Sequence, residues 1–275
     1  MKPAAFEYQR AASVAEALSA MREPALAAKP LAGGQSMGPM LNLRLARPAR
    51  LVDISGVEEL RRIEDCGTFV RFGAAVTHAR IEDEAGIYRG LEPLARAARG
   101  IAYRAVRNRG TIGGSLAHAD PAADWPLVLA ALGATIVVQG ERGTRRIDAA
   151  AFMLGSYVTQ LGVDELLTAV EVPKLSARAR WAYRKFCRKA GEFAQAAAAV
   201  LLDPERRVAR VFIGAPADRP TSLPELAGDL ARRGRAALDG DRLPDLLRTA
   251  LADAEPARRQ AATVMLTRAI DEVLS

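Results

Sequence analysis

Two glycine pairs, far apart in the chain, constrain its fold more than any other feature. The stretch Leu31-Ala32-Gly33-Gly34-Gln35-Ser36 sets a serine after one pair, and Thr111-Ile112-Gly113-Gly114-Ser115 flanks the other with hydroxyl residues. Backbone without Cβ atoms can turn its N–H groups toward an anion, as a phosphate-binding nest does. Two carboxylates, Asp120 and Asp124, follow the second pair closely, within reach of ribose hydroxyls or the polar edge of a ring. A single Gly-Gly pair marks no more than a turn. Two of one kind suggest a diphosphate held from both sides, so the fold has to return residues 110–115 to residues 31–36.

Bulk properties remove several alternatives. With 275 residues, 50% of them hydrophobic, the chain can fill a large core divided into two or three lobes. No apolar run approaches the roughly 20 residues that cross a bilayer, and the N-terminus lacks a signal peptide's apolar centre. A soluble, cytoplasmic protein is expected. Cys66 and Cys187 are too few for a four-cysteine iron–sulfur site and are read as buried or idle thiols. The net charge of +7 raises nucleic acid as a partner, but the basic residues are interleaved with acids and only 5% of residues are aromatic. Neither a nucleic-acid module nor a basic scaffold is therefore favoured. The Rossmann G-x-G-x-x-G, the P-loop, the G-x-S-x-G elbow and zinc spacings are all missing.

The local patterns mix helices and strands without regular βαβ alternation, which predicts an α+β fold. Ser13-Val14-Ala15-Glu16 is a capping box opening a helix to about Arg22, and Pro24 and Pro30 bracket the approach to the first glycine pair. Residues 50–54 and 69–74 read as strands, and Thr77 caps a helix over Ile81 and Glu84. One helix is expected over residues 91–105 and another over 125–132, then a hairpin through Gly140-Glu141-Arg142-Gly143 and a strand over 166–172 stopped by Pro173. Lys174 to Arg180 reads as a joint between lobes. Beyond it, strands are predicted over 181–189, 196–202 and 208–214, although the Ala196–Ala199 run suits a helix equally. Helices follow over 224–238, 243–254 and 256–274.

Five segments in order carry a family resemblance: residues 31–36, Arg107 to Ser115, Asp120-Pro121 with Asp124, Glu165 to Pro173, and Arg184 to Ala194. Together they resemble the FAD-binding subunit of molybdenum hydroxylases, the group of the carbon monoxide dehydrogenase medium subunit and the xanthine dehydrogenase flavin domain. The resemblance covers essentially the whole chain. It implies a two-subdomain FAD-binding domain, of the kind shared with vanillyl-alcohol oxidase, over residues 1–175 (subdomains roughly 1–55 and 56–175). A smaller α+β C-terminal domain would follow over 176–275. It also implies an oxidoreductase complex with two partners, a molybdopterin-binding large subunit and a small subunit holding two [2Fe–2S] clusters. FAD on this chain would pass electrons to an external acceptor such as a quinone, NAD or oxygen. A stand-alone FAD-dependent oxidoreductase, similar to UDP-N-acetylmuramate reductase, is the alternative, but it needs a catalytic acid that the C-terminal lobe does not offer.

Carried onto this sequence, the resemblance assigns the FAD diphosphate to the backbone of Leu31, Ala32, Gly33, Gly34, Gln35 and Ser36 on one side. Thr111, Ile112, Gly113, Gly114 and Ser115 would hold it on the other. Ser115 stands where the family usually has Asn, with one donor instead of two. Asp124 would bond a ribose or ribityl hydroxyl, with Asp120 nearby or serving as a helix cap. Ile101 is assigned to the adenine side and Leu167 to the ring or its tail, each with plain core packing as the other reading. Lys185 would sit at the pyrimidine edge of the flavin ring, where a cation favours the reduced form. Phe193 replaces a Tyr that faces the ring. His78 and His118 are read as ordinary residues, with contact to the cofactor as the other reading for His118, which sits inside the central loop.

Overall fold

The computed structural model describes residues 2–22, 27–238 and 242–275, so Pro24 lies outside the described residues. The chain opens with a small parallel sheet of order β1-β3-β2, built from β1 (Glu7–Arg10), β2 (Lys29–Leu31) and β3 (Arg50–Asp53). Of these only β3 shows in the sequence; the other two are short and lack alternation. Helix α1 (Val14–Met21) starts as predicted. The Ser13 hydroxyl accepts from the Glu16 amide at 3.1 Å, and the Glu16 carboxylate accepts from the Ala12 amide at 2.8 Å. β2 runs through the first glycine pair into α2 (Met37–Asn42).

The second sheet is antiparallel, of order β4-β5-β10-β6-β7. Its strands are β4 (Ile63–Asp65), β5 (Phe69–Gly73), β6 (Thr135–Gly140), β7 (Gly143–Asp148) and β10 (Leu166–Pro173). β10 lies at its centre, buried from Leu166 to Val172, and Pro173 is its last residue. Between β5 and β6 run α3 (His78–Glu84), α4 (Glu92–Arg99), α5 (Arg104–Arg107), α6 (Ile112–His118) and α7 (Asp124–Leu132). After β7 come α8 (Ala149–Phe152) and the small β8 (Met153–Gly155) and β9 (Val158–Thr159) hairpin.

The single helix expected over residues 91–105 is broken. It stops at Gly100, Ala102 turns to a φ of 43°, and the chain restarts as α5. The buried Arg107 guanidinium holds the break, donating to the Ile101 and Ala102 carbonyls at 2.9 Å each. The second glycine pair also differs from expectation. It is the first turn of α6, and not an open loop.

The last sheet is an antiparallel meander of β11 (Arg180–Phe186), β12 (Ala196–Asp203), β13 (Val208–Gly214) and β14 (Thr221–Ser222). It is covered by α9 (Pro224–Arg233), α10 (Arg242–Ala250) and α11 (Pro256–Leu274). β11 ends three residues before the predicted Lys189. The helices expected to reach 238 and 254 end at Arg233, followed by a 3₁₀ turn, and at Ala250. The alanine run is strand, because β12 is covered on both faces. Ala196, Ala198 and Val200 pack in the core under the C-terminal helices, while Ala197 and Ala199 pack with Leu127, Ala130 and Ala131 of α7. Small side chains let both layers approach the strand closely. Every residue of α7 is buried, so that helix is shared by the two halves of the molecule. Among the described residues no helix is long and apolar enough to cross a membrane.

Candidate functional site

The fold brings the two glycine pairs together. Gly33 lies directly on the backbone ahead of the second pair. A Cβ there would stand 1.9 Å from the Arg109 carbonyl oxygen and 2.9 Å from the Gly110 Cα. A Cβ on Gly114 would be 3.8 Å from the Ala32 Cβ. Gly113 is pressed against Ala74, with the Ala74 Cβ 2.5 Å from where its own would be. An antiparallel bridge between Thr77 and Thr111 hooks the second segment to the start of α3. Glycine is thus required at Gly33 and Gly113 by close approach of backbone to backbone, and Gly34 adds a φ of +71°.

The two sides offer different chemistry. The amides of residues 33–36 donate to no acceptor among the described residues, and the Ser36 hydroxyl is likewise without a partner. The Gln35 amide folds back, its Nε2 donating to the Gly33 carbonyl at 3.2 Å. The second side departs from the expected pair of amide nests because it is helical. Its amides are spent internally: Ile112 on the Val76 carbonyl, Gly113 on Ala74, Gly114 on the Thr111 hydroxyl at 3.1 Å and Ser115 on the Thr111 carbonyl. What remains on that side is the exposed backbone of Gly114 and the half-buried Ser115 hydroxyl, which has no partner among the described residues.

Asp124 and Lys185 come together as an ion pair instead of standing apart. Lys185 Nζ donates to Asp124 Oδ1 at 2.8 Å and also to the carbonyls of Gly100 (2.9 Å) and Glu192 (3.3 Å). Its three donors are used within the chain. Tyr183 gives a second donor to the same Asp124 oxygen at 2.8 Å. Burial pushes the Asp124 carboxyl up, opposed by Lys185 and Tyr183, and burial beside Asp124 raises the Tyr183 phenol well above its ordinary value. Sequence reasoning missed Tyr183, whose alternation along β11 with Lys185 is the one available signal.

The remaining predicted residues are spread around this centre. Asp120 does not cap α7; its Oδ1 accepts from the Ala122 amide at 2.9 Å, a tight turn, and the capping position falls on Ala123. Tyr157, at the tip of the β8–β9 hairpin, reaches Asp120 at 3.4 Å, and its ring lies 5.2 Å from that of His118, tilted by 53°. Ile101 sits in the Arg107-held break, partly buried against the core. Leu167 is fully core on β10, and Phe193 is 61% exposed. His78 is buried beneath Gly110: its Nδ1 accepts the Trp125 indole N–H at 3.0 Å, and its amide donates to the Gly110 carbonyl at 2.9 Å. Burial, with the nearby Arg107 charge, lowers its pKa to about 4.

Residues 4–175 match the family described as the FAD binding domain in molybdopterin dehydrogenase. The chain belongs to that family. It is therefore a flavoprotein chain of an oxidoreductase. This molybdopterin dehydrogenase flavin chain is 39% identical to the nicotine 6-hydroxylase medium subunit of Paenarthrobacter nicotinovorans, over 82% of its own length and 80% of the relative's. It is 38% identical to the carbon monoxide dehydrogenase medium chain of Hydrogenophaga pseudoflava, over 86% and 83% of the two chains. The solved carbon monoxide dehydrogenase from Hydrogenophaga pseudoflava, lacking the Mo-pyranopterin moiety, superposes with a TM-score of 0.90 at 33% identity. That likeness covers 99% of this chain and 98% of that one. Quinoline 2-oxidoreductase from Pseudomonas putida 86 gives 0.88 at 32% identity, covering 100% and 98%.

Proposed function

We propose that this chain is the medium, FAD-binding subunit of a cytoplasmic molybdenum hydroxylase complex. It takes electrons from the [2Fe–2S] clusters of a small partner subunit and passes them to an external acceptor. A molybdopterin-binding large subunit oxidises the substrate. One observation carries the reading: Gly33 rests on the Arg109–Gly110 backbone beside a run of unpaired amides. The residues fit the cofactor, since free N–H groups and bare glycine backbone stand together, as a diphosphate needs. Both solved relatives named above superpose over nearly all of this chain.

In this reading Leu31, Ala32, Gly33, Gly34, Gln35 and Ser36 supply amide donors and one hydroxyl to the diphosphate. Thr111, Ile112, Gly113, Gly114 and Ser115 supply close backbone approach and a second hydroxyl. Asp120 and Asp124 present carboxylates to sugar or ribityl hydroxyls, and Ile101 and Leu167 shape the apolar walls. Lys185 opposes the upward push of burial on the Asp124 carboxyl, and the pair lies between the 100–101 turn and the loop carrying Phe193. Bound FAD supplies exchange between single-electron and two-electron carriers. The chain's own task is to bind it, orient it and set the charge around it. The domain division at about residue 175 agrees with the end of the family match and of β10.

The purified chain mixed with FAD should keep the flavin absorption bands through desalting, and Gly33→Ala should lose them while circular dichroism stays native-like. A wild-type chain that is folded yet retains no flavin overturns the proposal.

A further inference from the structure

At Asp124 the two halves of the chain meet, and the two oxygens of its carboxyl group are treated differently. Strand β11 pairs with β12 so that Tyr183 lies opposite Ala199 and Lys185 opposite Ala197. Directly opposed side chains share a face of the sheet, as do residues two apart along one strand. That face carries α7, which packs on Ala197 and Ala199. The two alanines leave room for the longer side chains beside them to reach the first residue of the helix, Asp124. Both donors from β11 arrive on the same atom: the Tyr183 hydroxyl and Lys185 Nζ each lie 2.8 Å from Oδ1. Two donors fill the lone pairs of that oxygen. Oδ2 accepts from no donor among the described residues and stays open to solvent, through the 5% of the Asp124 side chain that is accessible.

We propose that Tyr183 is a positioning residue of the flavin site: its hydroxyl, together with Lys185, holds Oδ1 of Asp124 and so presents Oδ2 to a hydroxyl group of the bound dinucleotide. This rests on the reading of the chain as an FAD subunit, and carries the site past residue 175, where the family match ends. Lys185 alone does not suffice. The terminal torsion of an aspartate is broad, so a carboxyl group held by one donor can swing, whereas two donors from successive same-face residues fix its plane. Tyr183 itself touches no ligand. Its ring packs between the core under α4 and the small cluster under α7, and burial beside Asp124 raises the phenol well above its ordinary value, so the hydroxyl keeps its proton to donate.

Tyr183→Phe keeps the ring in place and deletes only the donor. The full-length chain carrying it, titrated with FAD and followed by quenching of flavin fluorescence, should bind about tenfold more weakly than wild type, the scale of one hydrogen bond to an acidic group. A role exercised through Asp124 has a signature that lost packing lacks. In an Asp124→Ala background the same substitution should change the FAD dissociation constant by less than about twofold, because the hydroxyl has nothing left to hold. Should Asp124→Ala not fold by circular dichroism, Asp124→Leu, closer in volume and equally without an acceptor, completes the cycle. The proposal is overturned if Tyr183→Phe binds FAD like the wild type. It is equally overturned if the loss in the Asp124→Ala background is as large as the loss alone. A folded wild-type chain that retains no flavin is a separate result, which overturns the FAD reading and this proposal with it.

Discussion

His78 and Trp125 illustrate how much one residue's environment decides. The Trp125 N–H occupies Nδ1, so the neutral ring carries its own proton on Nε2. Its pKa falls from 6.5 to about 4 through burial and the Arg107 charge. The unfolded chain takes up this proton as the pH drops below 6.5, whereas the folded chain resists until about 4. The neutral ring's contribution is thus complete above pH 6.5 and is lost as the pH falls toward 4. By linkage that loss amounts to about 3 kcal/mol. Urea midpoints at pH 7 and pH 4.5 should diverge less in His78→Asn, whose side-chain oxygen can still accept from Trp125. Equal acid losses in the two proteins would show that His78 is not responsible. Such pairings set the limit of what the residues reveal by themselves. Gly33 and Gly113 are legible because conformational freedom is a property of the residue type. The partners of Asp124 and Lys185 are not, because the ion pair joins positions 61 apart in the chain and needs the tertiary fold.

At the scale of single elements, α6 controls the second glycine pair. Thr111 begins it by accepting the Gly114 amide, which fixes the glycine turn against Ala74 and Ala32. Thr111→Val removes that cap at a cost of about 1 kcal/mol. It should lower the urea midpoint and weaken FAD binding together, and Thr111→Ser should restore both; a lowered midpoint with unchanged flavin affinity would detach the cap from the site. Element types were largely readable from pattern, as in the capping box of α1 and the hairpin of β6 and β7. The misreadings share a cause. α4 ends early because Arg107 satisfies carbonyls that a continuing helix would have used, and the β12 alanines become strand because helices cover both faces. Neither cause is local to the stretch it governs.

For the whole molecule, the central fact is that α7 belongs to both halves. Leu127, Ala130 and Ala131 pack on β12 and β13, while Trp125, Val128, Leu129 and Leu132 pack in the first core. Further ties cross the joint, including Ser176 to the buried Asp203 at 2.6 Å and Arg96 to Glu272 at 2.9 Å. The two halves should therefore melt as one cooperative unit, with far-ultraviolet dichroism and tryptophan fluorescence giving a single coincident transition. Leu127→Ala should lower that transition by about 2–5 kcal/mol for both signals alike. Two separated transitions in the wild type would mean the halves are energetically independent.

The shared helix has a consequence at the ribosome. When residue 175 has emerged, the apolar flank of α7 has no cover, because β12 and β13 have yet to be synthesised. The nascent N-terminal part cannot settle by itself in the vectorial, one-domain-then-the-next manner open to many larger proteins. The paired glycine segments, resting on α6 and the neighbouring α7, reach their final setting only after the last third of the polypeptide has arrived.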